Sequence, residues 1–149
     1  MKHTIIVCVL FCELIGFASS LTGDFSWYNS LVKPSFAPPN YVFLPIWLTL
    51  YALMGWSLAR FINSKKQHKM VGYSFFGIQL FLNALWSNLF FGLRSTFFGL
   101  ADISALLAFI VLTIWKFWMV DKKAALLLVP YMLWVCVALL LNFYVWRLN

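Results

Sequence analysis

The sequence predicts an all-α integral membrane protein, a single domain built as a bundle of five transmembrane helices. Three observations predict it. Of the 149 residues, 64% are hydrophobic and only 10% are charged, against about 25% charged in average soluble domains. The apolar residues fall into five runs, each close to the roughly 20 residues that cross a bilayer. The basic residues, which give the chain a net charge of +7, sit in the gaps between those runs, where loops meet lipid headgroups. A soluble chain of this size needs far more polar surface, and a nucleic-acid-binding domain gathers its charge into a patch. Nucleic acid is therefore set aside as a partner, and the lipid bilayer takes its place.

The first span covers about residues 4–21. Lys2, a short apolar stretch and the Phe17-Ala18-Ser19-Ser20 tail resemble a signal peptide with a cleavage site. Glu13 interrupts the apolar core, which such leaders rarely tolerate, so a retained helix is expected. A carboxyl group near mid-membrane with no basic residue at its depth is expected to be neutral and hydrogen-bonded. Residues 23–40 follow, carrying Asp24, Ser26, Asn29, Ser30, Lys33, Pro34, Ser35, Pro38 and Pro39. Proline removes a backbone donor and fixes φ, so this stretch is a loop outside the hydrocarbon. Its length suits a lid or a binding element.

The second span, about 41–62, starts from Asn40 as an N-cap and carries Pro45 in its early turns. A basic loop, 63–69, leads to the third span, about 70–92, and Arg94-Ser95 makes the tightest turn. The fourth, about 97–120, is closed by Asp121-Lys122-Lys123. The fifth, about 124–147, has Pro130 set inside it, and the backbone groups freed there need partners from neighbouring helices or side chains. No internal repeat appears, which argues against the inverted-repeat transporters. Five spans put the termini on opposite sides. Eight basic residues fall on the side of the N-terminus and only Lys33, Arg94 and Arg147 on the other. The positive-inside rule then expects a cytoplasmic N-terminus, with the proline loop and the C-terminus outside.

Little in the chain promises metal or nucleophilic chemistry. Cys8, Cys12 and Cys136 all lie in apolar runs and read as small buried residues. His3 and His68 lie in end or loop segments, so no metal site and no nucleophile-base pair is expected. There is no phosphate-binding loop and no dinucleotide fingerprint. Polar residues within the spans are Glu13, Asn83, Ser87, Asn88, Asp102, Ser104 and Asn142. Asp102 lies about two turns into its helix, where pocket-facing, packing and snorkelling roles are all open.

The aromatic residues say more. Trp27, Tyr28, Tyr41, Trp115, Trp118 and Trp146 lie near span ends, where an interfacial belt explains them. Trp47, Tyr51, Trp86 and Trp134 lie inside spans. Trp47 and Tyr51 share a helix face at i, i+4, as do Asn83 and Ser87, with Trp86 on the same side as Asn83. Indoles, a phenol and an amide gathered in a bundle make a pocket with apolar walls and few polar anchors. Such a pocket suits a flat, polycyclic, hydrophobic guest, and plain aromatic packing stands as the alternative. Asn83 and Ser87 are the expected partners for the indole N–H groups of Trp47 and Trp134.

These motifs resemble the translocator protein and tryptophan-rich sensory protein family, formerly the peripheral-type benzodiazepine receptors, over nearly the whole chain. Trp27-Tyr28, Leu31, Lys33-Pro34 and Pro38-Pro39 resemble the family's first loop. Pro45, Trp47, Leu50-Tyr51 and Met54-Gly55 resemble its second helix, and Gln79, Asn83, Trp86-Ser87 and Phe90-Phe91 its third. Pro130-Tyr131, Trp134, Ala138 and Leu141-Asn142 resemble the fifth. The resemblance implies a five-helix bundle whose pocket is closed by the first loop as a lid. It implies porphyrin-type ligands such as protoporphyrin IX and haem, no required cofactor, and a homodimer in a bacterial cell membrane. The pocket positions it carries over are Trp47, Tyr51, Asn83, Trp86, Asp102, Trp134 and Ala138, and Asp102 rests on the short match Leu100-Ala101-Asp102. Phe36 and Tyr41 stand where many relatives have tryptophan, so the lid is expected to pack differently. Leu141, Tyr144 and Arg147 match the animal sterol motif only with the tyrosine displaced, and sterol binding is not expected.

Three functions compete. The first is a receptor or sensor for porphyrins, coupled to tetrapyrrole transport or regulation. The second is a light-dependent porphyrin-degrading enzyme with Trp47 and Trp134 as its candidate catalytic residues. The third is a small-molecule transporter, which the sparse intramembrane charge disfavours.

Overall fold

A computed structural model describes residues 1–21, 23, 25–66 and 69–149. Thr22, Asp24, Gln67 and His68 lie outside the described residues, and with them the loop positions expected for Asp24 and His68. The five expected spans are present as Lys2–Ser20, Asn40–Asn63, Met70–Gly92, Thr96–Val120 and Lys122–Leu148, each long and apolar enough to cross a membrane. Their ends fall within a few residues of the sequence boundaries. What differs lies inside the spans and inside the loop.

α1 (Lys2–Ser20) is followed by a short helix, α2 (Phe25–Ser30), within the stretch read as loop. α3 (Asn40–Asn63) has Pro39 at its N-cap, not Asn40. The Asn40 amide instead donates to Asn29 Oδ1 at 2.9 Å and ties the start of α3 to the end of α2. Pro45 falls in the second turn of α3, where it withholds the N–H that would otherwise reach the Tyr41 carbonyl.

α4 (Met70–Ser87) runs directly into a π-helical turn, Asn88–Gly92. Arg94 then takes a left-handed φ of 48° to close the turn, and Ser95 caps α5 (Thr96–Val120) by accepting from Phe98 N at 3.2 Å. The fifth span is two helices, α6 (Lys122–Leu127) and α7 (Val129–Leu148), rather than one with proline inside. The break at Leu128 resolves the proline problem. Pro130 sits at the second residue of a new helix, where its missing N–H has no partner to lose.

Helix packing sets the shape of the bundle. α1 lies against α3 and α4, and α5 lies against α4, α6 and α7. A side chain at Gly55 would strike the backbone of Val9 and Cys8, so the absent Cβ is what brings α3 onto α1. At the end where α3 finishes, the Ser57 hydroxyl donates to the Ala124 carbonyl at 2.7 Å, and Arg60 pairs with Asp121 at 2.9 Å. Phe61 stacks on Phe117 beside them, centroids 3.9 Å apart. α3 therefore holds α6 closely but touches α7 little. Backbone does not fill the space between α3 and α7, and a cavity opens there.

Candidate functional site: an aromatic cavity under the first loop

The cavity encloses about 490 Å³ and its lining is overwhelmingly apolar. α3 supplies Trp47 and Tyr51, α4 supplies Asn83, Trp86 and Ser87, and α7 supplies Trp134 and Ala138. Seven of the eight positions singled out in the sequence thus meet around one space. The eighth, Asp102, does not line it. It is buried inside the bundle on α5, behind the lining residues Ile103 and Leu106, and its Oδ2 has no partner among the described residues.

Polar groups in the wall are held in fixed positions. The Tyr51 hydroxyl donates to Asn83 Oδ1, and the Asn83 amide donates to the Tyr131 hydroxyl at 2.8 Å. One amide thereby joins α3, α4 and α7. Trp47 leans on this network, its ring 5.7 Å from Tyr51 and 6.5 Å from Tyr131. Gly16 on α1 makes room for it, since a Cβ there would collide with the Tyr51 ring. Trp86 stacks on Phe90 at 5.0 Å and 13°, and its indole N–H donates to Asn142 Oδ1 at 3.3 Å.

The first loop roofs the cavity. Trp27 and Tyr28 pack edge-on or tilted against Phe90, and Tyr28 and Phe25 also meet Phe91. The π-helical turn presents both phenylalanines to the roof. The Tyr28 hydroxyl is buried without a partner among the described residues, and burial pushes it above the usual phenol range. Lys33 closes the end of α2, donating to the Tyr28 carbonyl at 2.8 Å while its ammonium lies over the Tyr28 ring. Asn149 clasps the loop from the far end of the chain. It accepts from Val32 N and donates to Val32 O, each at 2.9 Å. Phe36, where a tryptophan was expected from relatives, meets Tyr144 edge-on at 5.4 Å.

This arrangement can be compared with known proteins. A family model described as the TspO/MBR family matches residues 5–147. The chain belongs to that family. It is 46% identical to the tryptophan-rich protein TspO of Chlorobaculum tepidum over 98% of this chain and 96% of that one. It is 39% identical to the protein CrtK of Rhodobacter capsulatus, covering 93% and 88%. The translocator protein of Sus scrofa is 36% identical, with 92% and 85% covered. The chain is thus an integral membrane protein of a sensor and receptor family.

Within this TspO/MBR member, two sequence expectations about polar partners are corrected. Asn83 does not serve the indoles, because its amide is spent on Tyr51 and Tyr131. The Trp134 N–H is buried with no partner among the described residues. Sequence reasoning also missed cavity residues. Tyr28 read as belt aromatic, yet it lines the cavity from above. Asn142 was visible as a polar residue inside a span, and that signal could have found it. Glu13, Gly16 and Phe17 of α1 line the cavity as well.

Proposed function

We propose that this protein is a membrane receptor whose cavity holds porphyrin-type tetrapyrroles, and that occupancy is its sensory signal. The observation that carries the reading is the cavity itself. It is large, apolar and roofed, with Trp47, Tyr51, Trp86 and Trp134 in its walls. Flat aromatic walls reward a flat aromatic ligand with stacking of about 0.5–1.5 kcal/mol per ring pair beyond plain burial. The name translocator protein, carried by the relative from Sus scrofa, accords with a binding role.

The test is porphyrin affinity of Trp47→Phe and Trp134→Phe, each of which keeps an aromatic surface while removing the indole. Loss of one stacking wall weakens protoporphyrin binding roughly two- to twelvefold, with thermal stability of the unliganded protein little changed. Unchanged affinity in both variants, with fluorescence quenching intact when both indoles are gone, rejects the assignment.

A second reading, light-dependent porphyrin breakdown, draws on the aromatic series Trp47, Tyr51 and Tyr131. Such a series sits where an electron could be drawn from the wall toward an excited ligand. Absorption spectra of the complex kept dark and then illuminated separate the readings, since a pure receptor returns its porphyrin unaltered.

A further inference from the structure

We infer that Glu13 is the polar anchor of the cavity, selecting flat ligands that carry a cationic or N–H group over neutral hydrocarbons of the same shape. This rests on the reading of the cavity as a ligand site, though not on the ligand being a porphyrin.

Glu13 lies about two turns or more from either end of α1 (Lys2–Ser20). Its side chain lines the cavity, flanked by Leu10, Leu14 and Phe17. It is the sole Asp, Glu, Lys or Arg among the described lining residues. The sequence leads us to expect a hydrogen-bonded carboxyl here, but none of the described residues gives it a hydrogen bond or an ion pair, because none places a donor at its depth on the cavity side. The Arg60–Asp121 pair lies where α3 ends and α6 begins, near the opposite end of α1 from the roof. Its electrostatic neighbours are Tyr51 and Cys12. The Tyr51 hydroxyl already donates to Asn83, and Cys12 is fully buried.

The cavity's other unpartnered polar atoms can donate. Trp134 Nε1, a donor, and the Tyr28 hydroxyl, which donates as well as accepts, are buried and line the same space. The site therefore offers donors from α7 and the roof, and an acceptor from α1. A flat molecule satisfies that set when one edge brings a donor or positive charge and another brings a carbonyl or carboxylate. A carboxylate in hydrocarbon is costly alone and is stabilised by a cation or donor that arrives with the ligand. Asp102, the other carboxyl inside the spans, cannot take this part because it lies behind the wall.

The experiment uses the full chain in discs of zwitterionic lipid, with two probes of matched shape: an aminoacridine cation and neutral anthracene. The parent binds the aminoacridine more tightly. Glu13→Gln weakens it about tenfold or more, the size expected for a charge-assisted hydrogen bond, and leaves anthracene within about twofold. Glu13→Asp keeps the charge and retains most of the preference, which guards against a merely structural effect. Equal losses for both probes in Glu13→Gln, or a parent that binds anthracene but does not prefer the amine, overturn the inference and leave the cavity reading standing. A parent that binds neither probe and no protoporphyrin overturns both.

Discussion

Asn83 concentrates more of the cavity's order than any other side chain. Its amide bonds the hydroxyls of both Tyr51 and Tyr131, and Tyr131 is fully buried. Interhelical hydrogen bonds in membranes contribute about 0.6 kcal/mol on average and about 1.7 at most, so two lost at once cost about 1–3 kcal/mol. Asn83→Leu is therefore expected to lower thermal stability in detergent by that amount. Tyr131→Phe, which removes one bond, lowers it by about half as much. Equal melting temperatures for all three proteins would show that the network is ornamental. At this scale the sequence was informative where a residue's chemistry clashed with its surroundings. Asn83 and Asp102 were visible as polar groups in hydrocarbon, and burial of both follows from the cost of exposing them to lipid. The sequence could not say which carboxyl within the spans faces the cavity. Glu13 does and Asp102 does not, because a helix that is apolar on every side carries no periodic signal of its inner face.

Among the elements, the roof is joined to the bundle from several sides. Two bonds between Asn149 and the backbone of Val32 fasten it to the end of α7, Asn40 ties it to α3, and aromatic edges on Phe90, Phe91 and Tyr144 pack against it. Asn149→Ala removes both bonds without touching the cavity wall. A hydrogen bond contributes about 0.5–1.5 kcal/mol net, so losing both should let a ligand leave about fivefold faster or more while its association rate changes little. Stopped-flow displacement of bound porphyrin measures this, and an unaltered release rate would place the barrier elsewhere. The sequence identified the roof as a proline-rich segment outside the hydrocarbon, yet α2 was not legible in it. Six residues are too few for local propensity to declare a helix, and α2 exists because Tyr28 and Trp27 are packed from below. The π-helical turn and the break at Leu128 escaped for a related reason. Both are adjustments by which the backbone reconciles a fixed span with neighbours that only the folded bundle supplies.

For the whole molecule, span number followed from composition alone, since hydrocarbon thickness fixes the length of each run. Orientation is a separate matter, and the eight-to-three division of basic residues argues for it. With Cys8, Cys12 and Cys136 replaced, Ser30→Cys is expected to react with an impermeant thiol reagent on intact cells and Ser64→Cys to stay unlabelled. The reverse pattern would invert the topology. The uneven grip of α3 on the final span has a mechanical meaning. Near Asp121 the bundle is bolted by an ion pair, a hydroxyl bond and stacked rings, whereas around the cavity α3 and α7 meet through side chains, Phe43 on Trp134 and Trp47 on Tyr131. The molecule is a clothes-peg, sprung at one end and closed by side chains at the other. A bulky guest would press on those side chains before it strained the bolted end, and a fold built this way would accept guests of differing bulk without coming apart.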